Sequence, residues 1–97
     1  VRYKILFTPE AVDTFDAIST QILDRWGESK LQEFKLRVSK YLEIIAQSPY
    51  IYPILSELFP DLRRCILHKN CSIIYKVMDQ DIHVICFWDN RQEPLFE

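Results

Sequence analysis

The chain has 97 residues, 48% hydrophobic and 13% aromatic, with a formal charge of −2 and a single glycine. That length suits one domain with a real core, so residues 1–97 are expected to fold as a single unit. The mild acidity argues against a general electrostatic grip on nucleic acid, the lone glycine excludes glycine-rich phosphate loops, and no run reaches the roughly 18 apolar residues of a membrane span.

Residues 2–8 alternate polar and apolar and predict a first strand. Thr8-Pro9-Glu10 then starts a helix: Thr8 as N-cap, Pro9 at the first helical position, and Glu10 near the positive end of the helix dipole. Ala11, Phe15, Ile18, Ile22 and Trp26 recur at helical spacing and predict one apolar face. Gly27 ends this helix, where a left-handed cap favours glycine. Ser29 and Gln32 fit a capping box for a second helix, with Leu31, Phe34, Val38, Tyr41, Leu42 and Ile45 as its apolar stripe. Its other face is a solvated charge run in which Glu33 and Arg37 form an i, i+4 pair. Two helices joined so tightly form an antiparallel hairpin. Pro49 stops the second helix. Residues 48–60 read as an irregular segment, punctuated by Pro49, Pro53 and Pro60, whose apolar content holds it against the body.

Three antiparallel strands follow within residues 61–91, joined by tight turns at 69–70 and 80–81. These turns place Arg63 opposite Lys76, Cys65 opposite Ile74 and Leu67 opposite Ser72. They also place Lys76 opposite Ile85, Ile74 opposite Phe87 and Ser72 opposite Asp89. The predicted core side is then Ile66, Ile73, Tyr75, Val77, Ile82, Val84, Cys86 and Trp88, with Arg64 at the sheet edge on that same side. The opposite side is mixed, basic at Arg63 and Lys76 and apolar at Leu67, Ile74, Ile85 and Phe87, and His83 falls near Lys76. The element order predicts an α+β two-layer fold (β-α-α-β-β-β), an antiparallel four-stranded sheet backed on one face by the N-terminal helix hairpin. The mixed face stays open, and Leu67, Ile74, Ile85 and Phe87 are expected to meet a partner, unless a tail at 93–97 folds over them through Leu95 and Phe96.

Cys65, Cys71 and Cys86 are odd in number and lack any C-x-x-C pair, so they read as reduced, small apolar residues. No metal or cofactor is expected, since His68 with Cys71 is the nearest approach to a ligand cluster. With no visible signal peptide, the cytoplasm is the expected location. The chain begins with Val rather than Met, so a few preceding residues are expected to have been removed.

Several stretches in this order resemble one family: Phe7-Thr8-Pro9-Glu10-Ala11, Trp26-Gly27, Ser48-Pro49, Leu62-Arg63-Arg64, Ile73-Ile74-Tyr75-Lys76-Val77, and Trp88-Asp89-Asn90-Arg91-Gln92-Glu93-Pro94. Together they are similar to the RelE/ParE superfamily, the toxins of bacterial type II toxin–antitoxin modules once described as plasmid stabilisation proteins. The resemblance implies a sheet backed by two N-terminal helices, with the first strand beside the last long one. It implies a cognate antitoxin as partner, no membrane, and one of two activities. A RelE-like toxin cuts messenger RNA on the ribosome, where cations stabilise the charged phosphate and an acid–base group moves protons. A ParE-like toxin poisons DNA gyrase and needs no nuclease site.

Residue by residue, Arg63 matches the family's second-strand cation, Arg91 the arginine after the last strand, and Tyr75 the strand tyrosine. Cys65 and Ser72 stand where nucleases of the family carry basic residues. If nuclease chemistry operates, Arg63, Lys76 and Arg91 are its cations, and the same three could pair an acidic antitoxin tail. The missing cations favour inhibition of DNA gyrase, with the messenger RNA nuclease or an inactive toxin-fold binding protein as alternatives.

Overall fold

The computed structural model describes residues 2–68 and 71–89. The elements run β1 (Lys4–Phe7), α1 (Pro9–Trp26), α2 (Glu28–Gln47), β2 (Ile54–Ser56), β3 (Phe59–His68), β4 (Cys71–Met78) and β5 (Asp81–Asp89). Among the described residues the sheet has five strands in the order β1-β5-β4-β3-β2. β1 runs parallel to β5 and the other neighbours are antiparallel, so the sheet is mixed. The fifth strand is β2, inside the segment expected to be irregular. Its three residues sit between Pro53 and a turn, and bond only the start of β3.

The helix starts follow the sequence signals with one exception. Thr8 caps α1 by accepting from the Ala11 N–H, with Pro9 in the first turn. α2 does not use Ser29: it begins at Glu28, Gly27 serves as its N-cap without a side-chain bond, and Gln32 donates to Glu28 at 2.9 Å. Gly27 therefore ends one helix and starts the next, with φ 90° and ψ 179°. Side-chain-bearing residues rarely occupy that region, so glycine makes the one-residue joint possible. The expected Glu33–Arg37 pair is replaced: Glu33 bonds Lys30 at 3.0 Å, and Arg37 reaches across to the Leu67 carbonyl at 3.1 Å. Trp26, expected on the apolar face of α1, is 68% exposed: it is the last residue of the helix and lies outside the core cluster that takes in Phe15 and Ile18.

The helices cover one sheet face. Leu31, Phe34, Val38 and Ile45 of α2 and Ala11 of α1 pack on Cys65, Leu67, Ile73, Tyr75, Ile82, Val84 and Phe87. Phe15 sits at the centre, stacked on Phe34 at 5.7 Å between ring centroids and edge-on to Phe87 at 5.3 Å. Such aromatic pairs add about 0.5–1.5 kcal/mol beyond their area.

The strand register differs from the expected one for two physical reasons. Along β3, His68 pairs with Cys71, as a turn at 69–70 requires, but a bulge before it leaves Ile66 opposite Ser72 and Arg63 opposite Tyr75. One extra residue turns the rest of the strand over. The second turn lies at Asp79-Gln80, one residue earlier than predicted, with Asp79 at φ 57° and Met78 paired with Asp81. Aspartate tolerates that left-handed conformation better than most residues. A further irregularity leaves Ile85 without a partner on β4, between Val84, which faces Tyr75, and Cys86, which faces Ile74.

The consequence is an exchange of faces. Leu67 and Phe87, expected on the open side, are buried beneath the helices at 3% exposure each. Ile66, Cys86 and Trp88, expected in the helix-side core, lie on the other face. There Cys86 and Trp88 join Ile74 in a second buried cluster with Leu55, Leu62 and Ile85 around it. Ile74 is 0% exposed, so the centre of that face is not an open apolar surface. The turn at 69–70, Arg91, and the tail with Leu95 and Phe96 lie outside the described residues.

Two threonines of the first helical segment serve the irregular part of β5. The Thr8 hydroxyl donates to the Ile85 carbonyl at 2.8 Å, with the Val84 carbonyl at 3.1 Å. The Thr14 hydroxyl donates to the Glu10 carbonyl and accepts the Phe87 N–H at 2.9 Å. Thr14→Val keeps the shape and leaves the Phe87 N–H without that partner. We expect it to destabilise the fold by about 1–3 kcal/mol in urea titration.

Candidate functional site

Arg63 and Arg64 are neighbours in sequence and point to opposite faces. Arg63 lies on the helix side at the margin of the sheet, opposite Ile54 on β2 and Tyr75 on β4. Its guanidinium donates to the Tyr52 carbonyl at 2.7 Å and lies over the Tyr50 ring, 5.0 Å from its centroid. The Tyr75 hydroxyl beneath donates to the Pro49 carbonyl at 2.7 Å. Tyr75, expected on the core side, is fully buried. Burial pushes the Tyr75 phenol above its ordinary range, and pushes Tyr52 up to about 12. Neither hydroxyl is an acid at neutral pH. Together Arg63 and Tyr75 fasten residues 49–52 to the sheet. Arg63 is half-buried in this role and does not face the other cations.

Arg64 was expected on the core side and stands on the opposite face, where it pairs with Ile74. Among the described residues its buried Nε has no hydrogen-bond partner. Lys76 lies on that same face, opposite Leu62 on β3 and His83 on β5. Arg64, Lys76 and His83 therefore share a face with Ile74 and Ile85, at the rim of the second cluster. Sequence reasoning missed Arg64 because the β3 bulge is silent in a run of apolar residues. Ser72 has 0% exposure on this face, where the family resemblance places a phosphate-binding cation. Cys65, the other substituted position, is also fully buried, on the helix side.

All three cysteines are free and buried. Burial pushes the thiols of Cys65 and Cys86 up to about 11 and that of Cys71 up to about 12. They behave as small apolar residues rather than nucleophiles. Among the described residues no group of three His, Cys, Asp or Glu side chains could hold a metal. Among the described residues no helix is long and apolar enough to cross a membrane.

Two concavities border the helix layer. An apolar groove of about 340 Å³ runs between α1 and α2, lined by Phe7, Val12, Phe15, Val38 and Leu42 with Phe87. A mixed cleft of about 390 Å³ lies at the other end of the hairpin, where Arg25, Trp26, Lys30 and Arg37 meet His68 and Asp89. Of the residues expected to meet a partner, Ile74 and Ile85 thus lie on the outer face, Leu67 is enclosed, and Phe87 borders the interhelical groove.

Residues 5–94 match the family described as ParE toxin of type II toxin-antitoxin system, parDE. No curated protein sequence matches the chain. Among solved structures, a chain of the chromosomal ParDE system from P. aeruginosa superposes with a TM-score of 0.76 at 18% identity, covering 91% of this chain and 96% of that one. A chain of the RelBE2 toxin–antitoxin complex from Mycobacterium tuberculosis gives 0.66 at 13% identity, covering 92% and 99%. YoeB from Staphylococcus aureus gives 0.63 at 15% identity, covering 91% and 97%. At these identities the structural likeness shows the shared fold.

Two outcomes follow from this geometry. Arg63→Ala removes a charge-assisted bond and the stacking on Tyr50, so it should cost about 1–3 kcal/mol. Limited proteolysis should then cut within residues 48–58 sooner than in the unaltered chain. Thiol labelling at pH 8 should leave all three cysteines unmodified in the folded protein and modify all three in denaturant. With pKa values raised to about 11–12, the thiolate is scarce until the pH approaches that range.

Proposed function

The chain belongs to the ParE toxin family of type II toxin–antitoxin systems, and from that premise we propose that it inhibits DNA gyrase rather than cleaving messenger RNA. One observation carries this reading. Arg63, the residue matching the nuclease's second-strand cation, is tied to the Tyr52 carbonyl on the helix side of the sheet. Cys65 and Ser72, which replace two further cations, are fully buried. Of the expected set, Lys76 alone faces outward among the described residues, and Arg91 lies outside them. Cleavage by the 2′-hydroxyl needs several cations converging on one phosphate and a group to move protons. Inhibition by binding needs neither.

The nuclease is the second reading, and it draws on one feature. Arg64, Lys76 and His83 share a face, with Lys76 directly opposite His83. In that reading Arg64 takes the place first assigned to Arg63, and His83 supplies the proton-transfer group.

We also propose that a cognate antitoxin neutralises the chain by laying an apolar helix face into the groove between α1 and α2. Phe7 and Val12 on its rim are 48% and 49% exposed, and Phe15 and Phe87 border it. An amphipathic helix in such a groove gains from burying these side chains, at about 25 cal/mol per Å² of apolar area. Of the residues first expected to meet a partner, Phe87 forms part of the wall of this groove and Leu67 does not, so the neutralising contact centres on the exposed Phe7 and Val12 above Phe87.

The test is a pair of assays on the full chain. Added to purified gyrase and relaxed plasmid, it should block supercoiling, and induced in a bacterium it should stop DNA synthesis before protein synthesis. Ribosome-dependent cleavage of messenger RNA, lost in Arg64→Ala and His83→Ala but retained in Arg63→Lys, would establish the second reading instead. If neither synthesis falls while the chain stays folded, an inactive binding protein is the better description.

A further inference from the structure

The segment between α2 and the middle of β3 exposes a run of large apolar side chains. Tyr50, Ile51, Ile54, Leu58 and Phe59 are exposed by 61, 62, 41, 74 and 38%. They follow the margin of the sheet, from the turn before β2 to the tip of the β2–β3 hairpin. β2 is the last strand in the sheet order, so its outer side has no strand partner among the described residues. Proteins usually blunt such an edge with charge, a bulge or a short strand; β2 has only three residues and its register with β3 shifts between Ile54 and Ser56, but charge is nearly absent. Here Glu57 is the only charged residue between positions 48 and 60.

This exposure is not that of a loosely held loop. Arg63 bonds the Tyr52 carbonyl, Tyr75 bonds the Pro49 carbonyl, and the Arg64 N–H bonds the Pro53 carbonyl at 3.1 Å. The segment is anchored from beneath, while its apolar side chains face outward in fixed positions. Preorganisation of that kind lowers the ordering cost of an association.

We propose that this margin is the contact surface of a homodimer, in which a second copy of the chain docks the same edge by a two-fold axis. Three features favour a second copy over another partner. Glu57 is the one charge within residues 48–60, and the neighbouring Arg63 guanidinium is taken up by the Tyr52 carbonyl and the Tyr50 ring, so an acidic or basic partner finds little free counter-charge, whereas the apolar patch complements itself. A two-fold relation across β2 sets the strands antiparallel and places the two Glu57 side chains at opposite ends, so they do not repel. The area also fits: at about 200 Å² for a large side chain, the five residues expose roughly 500 Å². That is most of the ~800 Å² that each partner hides in a standard interface. The inference is independent of the gyrase reading and of the antitoxin groove, which lies between the two helices.

The experiment is sedimentation equilibrium on the full chain across the micromolar range, with Ile51→Glu, Leu58→Glu and Leu36→Glu beside it. All three positions are exposed, so each variant should keep the circular dichroism of the unaltered chain. The unaltered chain should sediment at twice its 11.7 kDa mass. Ile51→Glu and Leu58→Glu bury a charge at the contact and should weaken self-association by about tenfold or more. Leu36→Glu, on α2 and 70% exposed outside the patch, should leave the dimer intact. A chain that stays monomeric throughout overturns the proposal, as does a dimer broken by Leu36→Glu and indifferent to the two edge variants. A monomer whose capture of antitoxin is lost with Ile51→Glu also overturns it, and assigns the edge to the antitoxin.

Discussion

The unpaired residue in β5 is the constraint on which the rest of the architecture depends. β5 lies between β1 and β4 and bears the centre of α1, so its side chains must serve both faces of the sheet. Regular alternation would put Val84, Cys86 and Trp88 on one side. The extra residue at Ile85 breaks that alternation. Val84 and Phe87 then both face the helices, while Cys86 and Trp88 fill the second cluster. Phe87 meets Phe15 only because of this shift, and Phe15 in turn stacks on Phe34 of α2. A bulge leaves backbone groups off the ladder, and these must be satisfied when buried. Thr8 and Thr14 do so with side chains one helical segment away, so the start of α1 is fixed to the irregular point of the sheet. The capping residue read as a helix signal is also a tie between layers.

Local chemistry was legible where it is written in one or two residues. Thr8-Pro9 gives the start of α1, Gly27 the joint, Pro49 the end of the helix hairpin, and the 3.6-residue spacing from Leu31 to Ile45 the buried face of α2. These signals depend on φ, on missing donors and on periodicity, which single residues carry. The sheet was legible in outline and not in register. A bulge near Leu67 changes no residue type, and Asp79-Gln80 competes with Gln80-Asp81 on equal terms as a turn. β2 was unreadable for a related reason. Three residues between a proline and a turn carry too little alternation, and only the long β3 beside them makes them a strand.

The register error has a functional consequence that exceeds its size. A shift of one residue exchanges Arg63 for Arg64 on the outer face, and exchanges Leu67 and Phe87 for Cys86 and Trp88. The candidate site therefore keeps Lys76, gains Arg64, and retains His83 opposite Lys76. Arg63 becomes a positioning residue: its planar guanidinium suits a carbonyl and an aromatic ring at once, which a lysine would not. Its charge is used to hold residues 49–52, so the same cation cannot serve a phosphate on the other side of the sheet.

That division of labour explains how one scaffold can support different activities. The sheet centre is sealed on both sides by apolar residues, so its contribution is rigidity rather than a reactive cleft. Groups that can touch another molecule lie at the margins: Arg64, Lys76 and His83 on the outer rim, Phe7 and Val12 at the interhelical groove, and the apolar edge around Ile51 and Leu58. Nuclease chemistry demands that several margin groups converge within hydrogen-bonding reach of one phosphate. Inhibition by binding demands only that a surface fit. A buried serine at position 72 and a buried cysteine at position 65 are incompatible with the first demand at the positions where the family resemblance looks for cations. They are indifferent to the second, because neither side chain reaches the surface on which a partner is recognised.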